Sequence, residues 1–345
     1  MPYFQPKLTL PPNLSFANKT ILITGPSAGL GLAATTLVLQ HSASEIIFGV
    51  RNTTKGNTTR SQILSSPLIK NIKSTPKISV LELNLESYDS VLKFAKEVKE
   101  KWDGKLDMLL LNAGTGSLKR ETVGGGHEKT IQVNLLSSAL LAVELLPTLE
   151  KTARRTGVPS RITWVGSFVQ FDHSLGKHPI PGQYLDTTAT TSTTERSDSI
   201  LSYFDDEKSF VSMARYSDSK LLVTIFVDQL AKFVKPELVV VNDVSPGMVS
   251  TGFGEYPVWL RGMMAVFFGL KARSPEEGAK TYLHALGVVG RESHGMYLSD
   301  NRITERAPIT KTPVGKQIQE KLWDNMWKEF LKLDAKLEPL TRQVL

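Results

Sequence analysis

The chain has 345 residues and a mass of 38.1 kDa, with 41% hydrophobic and 22% charged residues, which suits one large α/β domain or two small ones. Its net charge of +7 is spread along the chain without a run of like charges, so it disfavours nucleic-acid binding and favours a moderately basic enzyme. The absence of cysteine excludes disulfides, thiolate catalysis and Cys-ligated zinc.

Residues 1–18 carry prolines where a signal peptide would need an unbroken apolar stretch, which predicts an extended N-terminal arm on a cytoplasmic protein. Residues 19–345 show no repeat and no linker, so we expect a single domain. The apolar stretch 258–270 is too short to span a bilayer and contains Arg261.

The first predicted strand, Thr20–Thr24, is followed at once by a glycine-rich segment, Gly25-Pro-Ser-Ala-Gly29-Leu-Gly31, and then by helical spacing of apolar residues. Strand, glycine loop and helix in this order present backbone N–H groups and a helix N-terminus to a phosphate. Taken alone, the loop is equally compatible with a tight turn.

The second predicted strand, Glu45–Val50, ends directly before Arg51. In a dinucleotide-binding fold this strand end reaches the adenosine ribose, where an acidic residue favours NAD and a basic residue accommodates the 2′-phosphate of NADP. Arg51 and Lys55 therefore favour NADP, and the alternative is that Arg51 is an ordinary surface residue.

Two further strands are predicted at Lys77–Leu83 and Leu106–Leu111, separated by a helix that Ser87 caps. The second of them is almost wholly apolar, as expected of a strand covered by helices on both faces. It runs into Asn112-Ala113-Gly114, small residues that let a ligand approach the backbone at the carboxyl end of a parallel strand.

A long helix is predicted over Lys129–Arg155, with a kink or break near Pro147. Asn134 lies inside it, and a mid-helix asparagine either points outward or has a specific task. A fifth strand, Arg161–Val165, then places Ser167 at the carboxyl edge of the sheet, where it is either functional or a turn residue.

The region 172–205 reads as an insertion, because residues 186–199 are a Thr/Ser-rich low-complexity stretch. His173 and His178 do not have the spacing of a metal site, and no metal is expected.

Tyr216 and Lys220 are four residues apart at the start of a predicted helix, Ser217–Val234, so their side chains share one face. An ammonium group beside a phenol favours the phenolate, which makes the pair a candidate proton donor. This spacing alone is weak evidence, because a solvated helix face produces it as well.

The rest of the chain predicts a sixth strand at Leu238–Val244, a helix capped by Ser274, a seventh strand at Met296–Ser299 and a closing amphipathic helix at Val314–Leu333. Its aromatic residues Trp323, Trp327 and Phe330 are expected to pack inward.

Together, TGPSAGLG, LNAG, Asn134, Ser167, YSDSK and PGMVST resemble the short-chain dehydrogenase/reductase family in order and approximate spacing, over residues 17–300. The chain is most similar to the retinol-dehydrogenase-like branch, and within it to fungal reductases of lipophilic secondary metabolites. The resemblance implies an α/β fold with a single Rossmann-type, doubly wound parallel sheet of about seven strands flanked by helices.

The resemblance also implies catalytic roles. Tyr216 would exchange a proton with the substrate oxygen, Ser167 would hydrogen-bond that oxygen, Lys220 would hold the nicotinamide ribose, and Asn134 would support a water next to Lys220. The implied cofactor-binding residues are Gly25, Ser27, Gly29, Leu30, Gly31, Arg51, Asn84, Leu85, Asn112, Ala113, Gly114, Tyr216, Lys220, Pro246, Gly247, Val249 and Thr251.

Three positions depart from the family pattern. Asn84 stands where an aspartate is usual, Leu111 where an asparagine is frequent, and Pro26 removes one N–H donor from the glycine loop.

We therefore expect an NADP(H)-dependent oxidoreductase that interconverts a ketone or aldehyde and an alcohol on a lipophilic small molecule. The alternative is a cofactor-binding protein of the same fold with a non-redox, sensing or scaffold role. Residues 250–272 are expected to form a substrate lid or to rest on an intracellular membrane surface, and a homodimer is expected from the resemblance only.

Overall fold

The structure is a computed structural model that describes residues 5–70, 72, 75–185, 199–250 and 272–337. Its centre is an eight-stranded sheet in the order β3-β2-β1-β4-β5-β6-β7-β8. All neighbouring pairs are parallel except the last, in which β8 runs antiparallel to β7. The strands are β1 (Thr20–Thr24), β2 (Glu45–Val50), β3 (Lys77–Glu82), β4 (Met108–Leu111), β5 (Ser160–Val165), β6 (Val239–Ser245), β7 (Tyr297–Ser299) and β8 (Arg302–Thr304).

The doubly wound sheet is confirmed, and the eighth strand is an addition to the seven that the sequence predicts. β8 is only three residues long and exposed, so it has no apolar signal. Asp300 and Asn301 join it to β7 with φ angles of 52° and 58°. Two successive positive φ angles form the tight hairpin turn that Asp and Asn tolerate.

Helices cover both faces of the sheet and create two apolar cores. The first and second helices and the one beginning at Pro275 pack on one face, and the helices beginning at Tyr88, Ser137, Arg215 and Pro313 pack on the other. The helices are α1 (Gly29–Gln40), α2 (Thr53–Ser65), α3 (Pro67–Lys70), α4 (Tyr88–Trp102), α5 (Lys129–Ile131), α6 (Ser137–Thr156), α7 (Ile200–Asp205), α8 (Arg215–Phe233), α9 (Pro275–Gly287) and α10 (Pro313–Leu333).

The helical run that begins at Lys129 differs from the expected uniform helix. A five-residue π-helical segment, Gln132–Leu136, lies between α5 and α6. α6 continues through Pro147 without a break, so the irregularity lies upstream of the proline. π-helical turns re-aim side chains and occur frequently at functional sites.

The run Lys129–Thr156 is also the one candidate membrane span among the described residues. Length and composition would allow it to cross a bilayer, but 94% of its most apolar window is buried inside the protein. A core helix of a sheet protein has the same properties.

Residues 5–18 form neither helix nor strand, and they are anchored where Leu8 and Phe16 enter the protein. Several predictions concern residues outside the described ranges. These are residues 1–4 of the arm, residues 186–198 of the Thr/Ser-rich insertion, nearly all of the expected lid at 251–271, and with it Thr251.

Candidate active site

The glycine loop after β1 is shaped by close backbone contacts. Gly25 and Gly29 have φ angles of 65° and 52°, a region that side chains other than hydrogen disfavour. A Cβ on Gly31 would lie 2.2 Å from the carbonyl oxygen of Gly25 and 2.6 Å from Nδ2 of Asn112. These glycines therefore allow the loop to fold back tightly on itself before α1 begins.

The N-terminus of α1 is open to a ligand. Ala28 precedes the helix and provides no side-chain cap, and the first turn has no acidic residue. Ser27 is partly exposed, whereas Pro26 is buried. Uncapped N–H groups at a helix start, together with the helix dipole, form an anion-binding site. The loop and helix thus fit the pyrophosphate of a dinucleotide.

The segment that follows β4, the neighbour of β1 in the sheet, forms hydrogen bonds to the glycine loop and to the end of β1. Asn112 Nδ2 donates to the carbonyl oxygens of Thr24 and Gly25 at 2.9 and 3.1 Å. The Ala113 N–H donates to the hydroxyl of Thr24 at 3.0 Å. Asn112 and Ala113 therefore fix the position of the glycine loop.

At the end of β2, Arg51 is 72% exposed in its side chain, and its Nη1 lies 3.0 Å from Oε1 of Glu86. The Glu86 N–H donates to Oδ1 of Asn84 at 3.1 Å. The side-chain oxygen of Asn84, which stands where an aspartate is usual, therefore accepts a hydrogen bond from the backbone. Leu85 is buried in the core. Arg51 is thus in reach of solvent but already shares its charge with a carboxylate.

Asn134 connects the segment that follows β4 with the helix that carries Tyr216. Its Oδ1 accepts from the Thr115 N–H at 2.8 Å, and its Nδ2 donates to the Thr115 carbonyl oxygen and to Ser219 Oγ, both at 2.9 Å. The π-helical segment turns this side chain inward, so the asparagine has a specific task.

Tyr216 and Lys220 lie on one face of α8, as the spacing predicts. The ammonium nitrogen of Lys220 lies 5.4 Å from the centre of the Tyr216 ring. It donates to the carbonyl oxygen of Val165 at the end of β5, at 2.7 Å. A Cβ on Gly114 would lie 3.7 Å from the same nitrogen, so the lysine stands between the ends of β4 and β5.

Ser167 follows two residues after Val165, and its Oγ accepts from the Val169 N–H at 3.3 Å. The next residue, Phe168, donates its N–H to Ser245 Oγ at 3.1 Å. Ser245 Oγ also accepts from the Gly247 N–H at 3.2 Å. Ser245 therefore joins the Ser167 loop to the Pro246-Gly247 loop after β6.

Two residues that the sequence did not single out hold the loop after β6. Gln5 makes two hydrogen bonds to the backbone of Met248, at 2.9 and 2.7 Å. Arg273 donates to the Pro246 carbonyl oxygen at 3.2 Å and to Oδ1 of Asp300 at 2.6 Å. Both partners are distant in sequence, so no local pattern reveals them.

The same loop and the first turn of α1 both pack on α9. Val249 and Leu30 both contact the position of Gly278 in α9, where a Cβ would lie 2.7 Å from one and 2.9 Å from the other. The Pro246–Val249 segment and the glycine loop are thereby held on the same side of the sheet.

Burial dominates the electrostatics around Lys220. It lowers the pKa of the ammonium group to about 8, and the carboxylate of Asp243 opposes this shift. Burial raises the pKa of Asp243 itself to about 6. Asp243 was not predicted, because the sequence shows only one acidic residue within an apolar strand.

Comparison with known proteins agrees with this geometry. The family model described as short chain dehydrogenase matches residues 19–174. A short chain dehydrogenase of Aspergillus niger, yanD, is 40% identical over 96% of this chain and 97% of its own length. The short-chain dehydrogenase/reductase tropG of Talaromyces stipitatus is 37% identical over 96% of this chain and 97% of its own length.

The chain therefore belongs to the short-chain dehydrogenase family, and the predicted resemblance to its fungal members is confirmed. Solved structures share the fold at low identity. The Pseudomonas aeruginosa RhlG/NADP active-site complex is 21% identical with a TM-score of 0.58 and covers 84% of this chain and 97% of its own. A 7α-hydroxysteroid dehydrogenase complexed with NADH has a TM-score of 0.58 at 18% identity. The match covers 83% of this chain and 94% of the dehydrogenase chain.

Proposed function

We propose that this chain is an NADP(H)-dependent oxidoreductase that interconverts a ketone or aldehyde and an alcohol on a lipophilic small molecule, within secondary metabolism. The observation that carries the proposal is the convergence of Tyr216, Lys220 and Asn134 at the sheet edge that also presents the glycine loop. The family binds a nicotinamide cofactor, which would supply or accept the hydride.

The chain's own residues would then handle the proton and the placement of the reactants. Tyr216 would donate a proton to the carbonyl oxygen during reduction, with Ser167 hydrogen-bonding the same oxygen. Lys220, charged and buried beside the phenol, would favour the phenolate that remains and would bind the ribose hydroxyls. Asn134 would hold the Thr115 segment against α8 so that this geometry persists.

NADP is favoured over NAD because of the charge at the end of β2. Arg51 could leave Glu86 for a 2′-phosphate, which carries more charge and offers three acceptor oxygens. The fold itself does not decide the matter, since one of the similar structures is a complex with NADP and another with NADH.

A lipophilic substrate is favoured by two exposed apolar side chains near the catalytic residues. Phe171 is 45% exposed and lies in a short 3₁₀ helix, Phe168–Asp172, which Ser167 caps. Met213 is 72% exposed and lies just before α8. Exposed large apolar groups close to a site are typical of ligand-binding surfaces. Residues 250–272 would complete this surface as a lid or as a membrane contact. The protein would work in the cytoplasm or at an intracellular membrane surface. It would form a homodimer.

The proposal is tested by thermal-shift titration with NADPH and NADH, followed by a search through lipophilic ketones and small polar ketones. A cofactor at about a hundred times its Kd should stabilise the protein by about 2.7 kcal/mol. We expect NADPH to stabilise the protein more than NADH and lipophilic ketones to support faster turnover. Binding of a cofactor without turnover of any ketone would favour the non-redox alternative, and binding of neither cofactor would contradict both.

A further inference from the structure

Asp243 is a fully buried carboxyl group near the carboxyl end of β6. It is 0% exposed and lies in β6, whose residues are all buried. Its register partners on the adjacent strands are Trp164 and Tyr297. Trp164 contacts Phe226 of α8 with ring centres 5.9 Å apart, so this row of side chains faces α8.

Asp243 lies near Lys220, and two contacts with neighbouring residues locate it there. Thr224, one helical turn after Lys220, donates its hydroxyl to Oδ2 of Asp243 at 2.6 Å. A Cβ on Gly166 would lie 2.8 Å from the same Oδ2. Gly166 follows Val165, whose carbonyl oxygen accepts the hydrogen bond from Lys220.

The other charged groups around Asp243 come from α8 and from the segment before α10. Arg306 attracts the carboxylate and Asp228 repels it. These two form an ion pair of their own at 3.0 Å and line a surface cavity of about 380 Å³, to which Tyr297 also contributes. Arg306 therefore shares its charge with Asp228, whereas Lys220 is buried with Asp243.

Asp243 still has unused acceptor capacity. Oδ1 is buried and has no hydrogen-bond partner among the described residues, and Oδ2 bonds only to Thr224 there. A buried carboxylate with one free oxygen is costly, so its presence calls for a compensating role.

We propose that Asp243 is a positioning residue that keeps the buried Lys220 charged and thereby sets the alkaline limit of the reaction. This inference rests on the proposed function, because it assigns Asp243 a role through Lys220 and Tyr216. The carboxylate provides the negative charge that a desolvated ammonium group needs. When Lys220 loses its proton, Tyr216 loses the charge that stabilises its phenolate and becomes a weaker proton donor.

The pKa values make the expected behaviour specific. Since burial raises the pKa of Asp243 to about 6, the carboxyl is largely neutral below that pH and ionised above it. At pH 6 the Asp243→Asn variant should resemble the wild type, because the carboxyl is about half neutral there and Lys220 keeps its proton in both proteins. At higher pH it lacks the negative charge, so the pKa of Lys220 falls further below its ordinary value.

The first measurement is competitive acetylation of the apoprotein between pH 6 and 10, read at the Lys220 peptide by mass spectrometry. It reports the protonation of Lys220 without relying on activity. We expect the midpoint to be about one pH unit lower in Asp243→Asn than in the wild type. An unchanged midpoint would overturn the inference.

The second measurement is the pH dependence of kcat for reduction with NADPH. We expect kcat of Asp243→Asn to be within about twofold of wild type at pH 6 and about tenfold lower at pH 9, as a shift of one unit requires. A uniform decrease at every pH would indicate a structural role and contradict the inference. A shifted acetylation midpoint without a shifted kcat profile would also contradict it.

Two further variants control the experiment. Asp107→Asn removes a buried carboxylate at the opposite edge of the sheet and should leave both profiles unchanged. Thr224→Val should shift both midpoints in the same direction as Asp243→Asn, because it removes the hydrogen bond that favours the ionised carboxyl. Thr224→Val also tests the role of Asp243 if the Asp243→Asn variant folds poorly. If Tyr216→Phe kept full turnover, the proposed function would fail, and the acetylation experiment would still judge Asp243.

Discussion

The two edges of the central sheet use buried charge in different ways. At the amino edge, Asp107 accepts hydrogen bonds from the Thr20 N–H and from Lys19 Nζ, each at 2.9 Å, so both carboxylate oxygens are satisfied. At the carboxyl edge, one buried oxygen of Asp243 has no hydrogen-bond partner among the described residues, and burial raises the pKa of this carboxyl to about 6. The first carboxylate stabilises the fold, and the second is kept despite its cost.

The backbone shows the same difference between the two edges. Near the amino edge, Arg155 caps the carbonyl oxygen of Gly104 at 2.7 Å, and Ser160 bonds to that of Leu149 at 2.8 Å. At the carboxyl edge, α1 begins without a side-chain cap. Paired groups at one edge and available groups at the other are the expected division between stability and ligand binding in a parallel sheet.

The largest effect on the carboxyl edge is expected from Gly31→Ala. The new methyl group would lie 2.2 Å from the Gly25 carbonyl oxygen, so the loop backbone must move. We expect a loss of about 1–3 kcal/mol in stability and of more than about tenfold in NADPH affinity. Thermal melts and fluorescence titration measure the two quantities.

The control for this variant is Gly182→Ala, because a Cβ there has no atom of the described part of the chain within 4 Å and its φ angle is not positive. It should change neither quantity. Equal affinity losses in both variants would show that the tight loop at Gly31 has no special role in binding.

A moderate effect at the amino edge is expected from Asp107→Asn. The variant keeps an acceptor for Thr20 but loses the charge that pairs with Lys19. We expect a decrease of about 1–3 kcal/mol in the free energy of unfolding. Activity per folded molecule should stay the same. Glu100→Gln breaks an exposed pair with Lys96 and should change stability by less than about 0.5 kcal/mol.

Asp243 should make the stability of the wild type depend on pH in the opposite sense to a paired carboxylate, whose pKa is lowered by folding. Because the folded-state pKa of Asp243 is raised to about 6 from an ordinary value of 3.8, the folded protein binds this proton more tightly than the unfolded chain. The wild type therefore loses stability as pH rises from about 4 through 6. The variant lacks this loss, so we expect its Tm relative to wild type to increase between pH 4.5 and 7.5.

Circular-dichroism melts at several pH values measure this difference. A constant Tm difference across the range would contradict the raised pKa. A variant that gains stability above pH 6 while losing activity at pH 9 would show that the carboxyl edge keeps a destabilising charge for function.

The smallest effect is expected from Arg51→Ala. Arg51 is exposed and already paired with Glu86, so its binding of a 2′-phosphate would be partly offset. We expect KM for NADPH to rise about threefold to tenfold and KM for NADH to stay constant. Arg60→Ala, on α2, is the matched control. Equal changes for both cofactors would argue against a role of Arg51 in cofactor choice.

Much of the fold could be predicted from the sequence, because seven strands are short segments rich in apolar residues and the helices between them have regular apolar spacing. β8 was missed because it is short, exposed and polar, although Asp300-Asn301 is a recognisable hairpin turn. The π-helical segment around Asn134 has no local sequence signal, since its register depends on the hydrogen bonds to Thr115 and Ser219.

The candidate site was predicted where single residues carry the chemistry, as at Tyr216 and Lys220. It was not predicted where the role depends on distant partners. Asp243 is separated from Lys220 by 23 residues and from Arg306 by 63, and only the packing of α8 on β6 brings the carboxyl beside the lysine. Gln5 and Arg273 were missed for the same reason.

The most direct test of the account is turnover of Tyr216→Phe with NADPH and a lipophilic ketone, beside a thermal-shift titration of the same variant. We expect kcat to fall by about 10²-fold or more, because the proton donor is lost, while stabilisation by NADPH remains close to wild type. Turnover at the wild-type rate would contradict the assignment of Tyr216, and with it the proposed chemistry at the carboxyl edge.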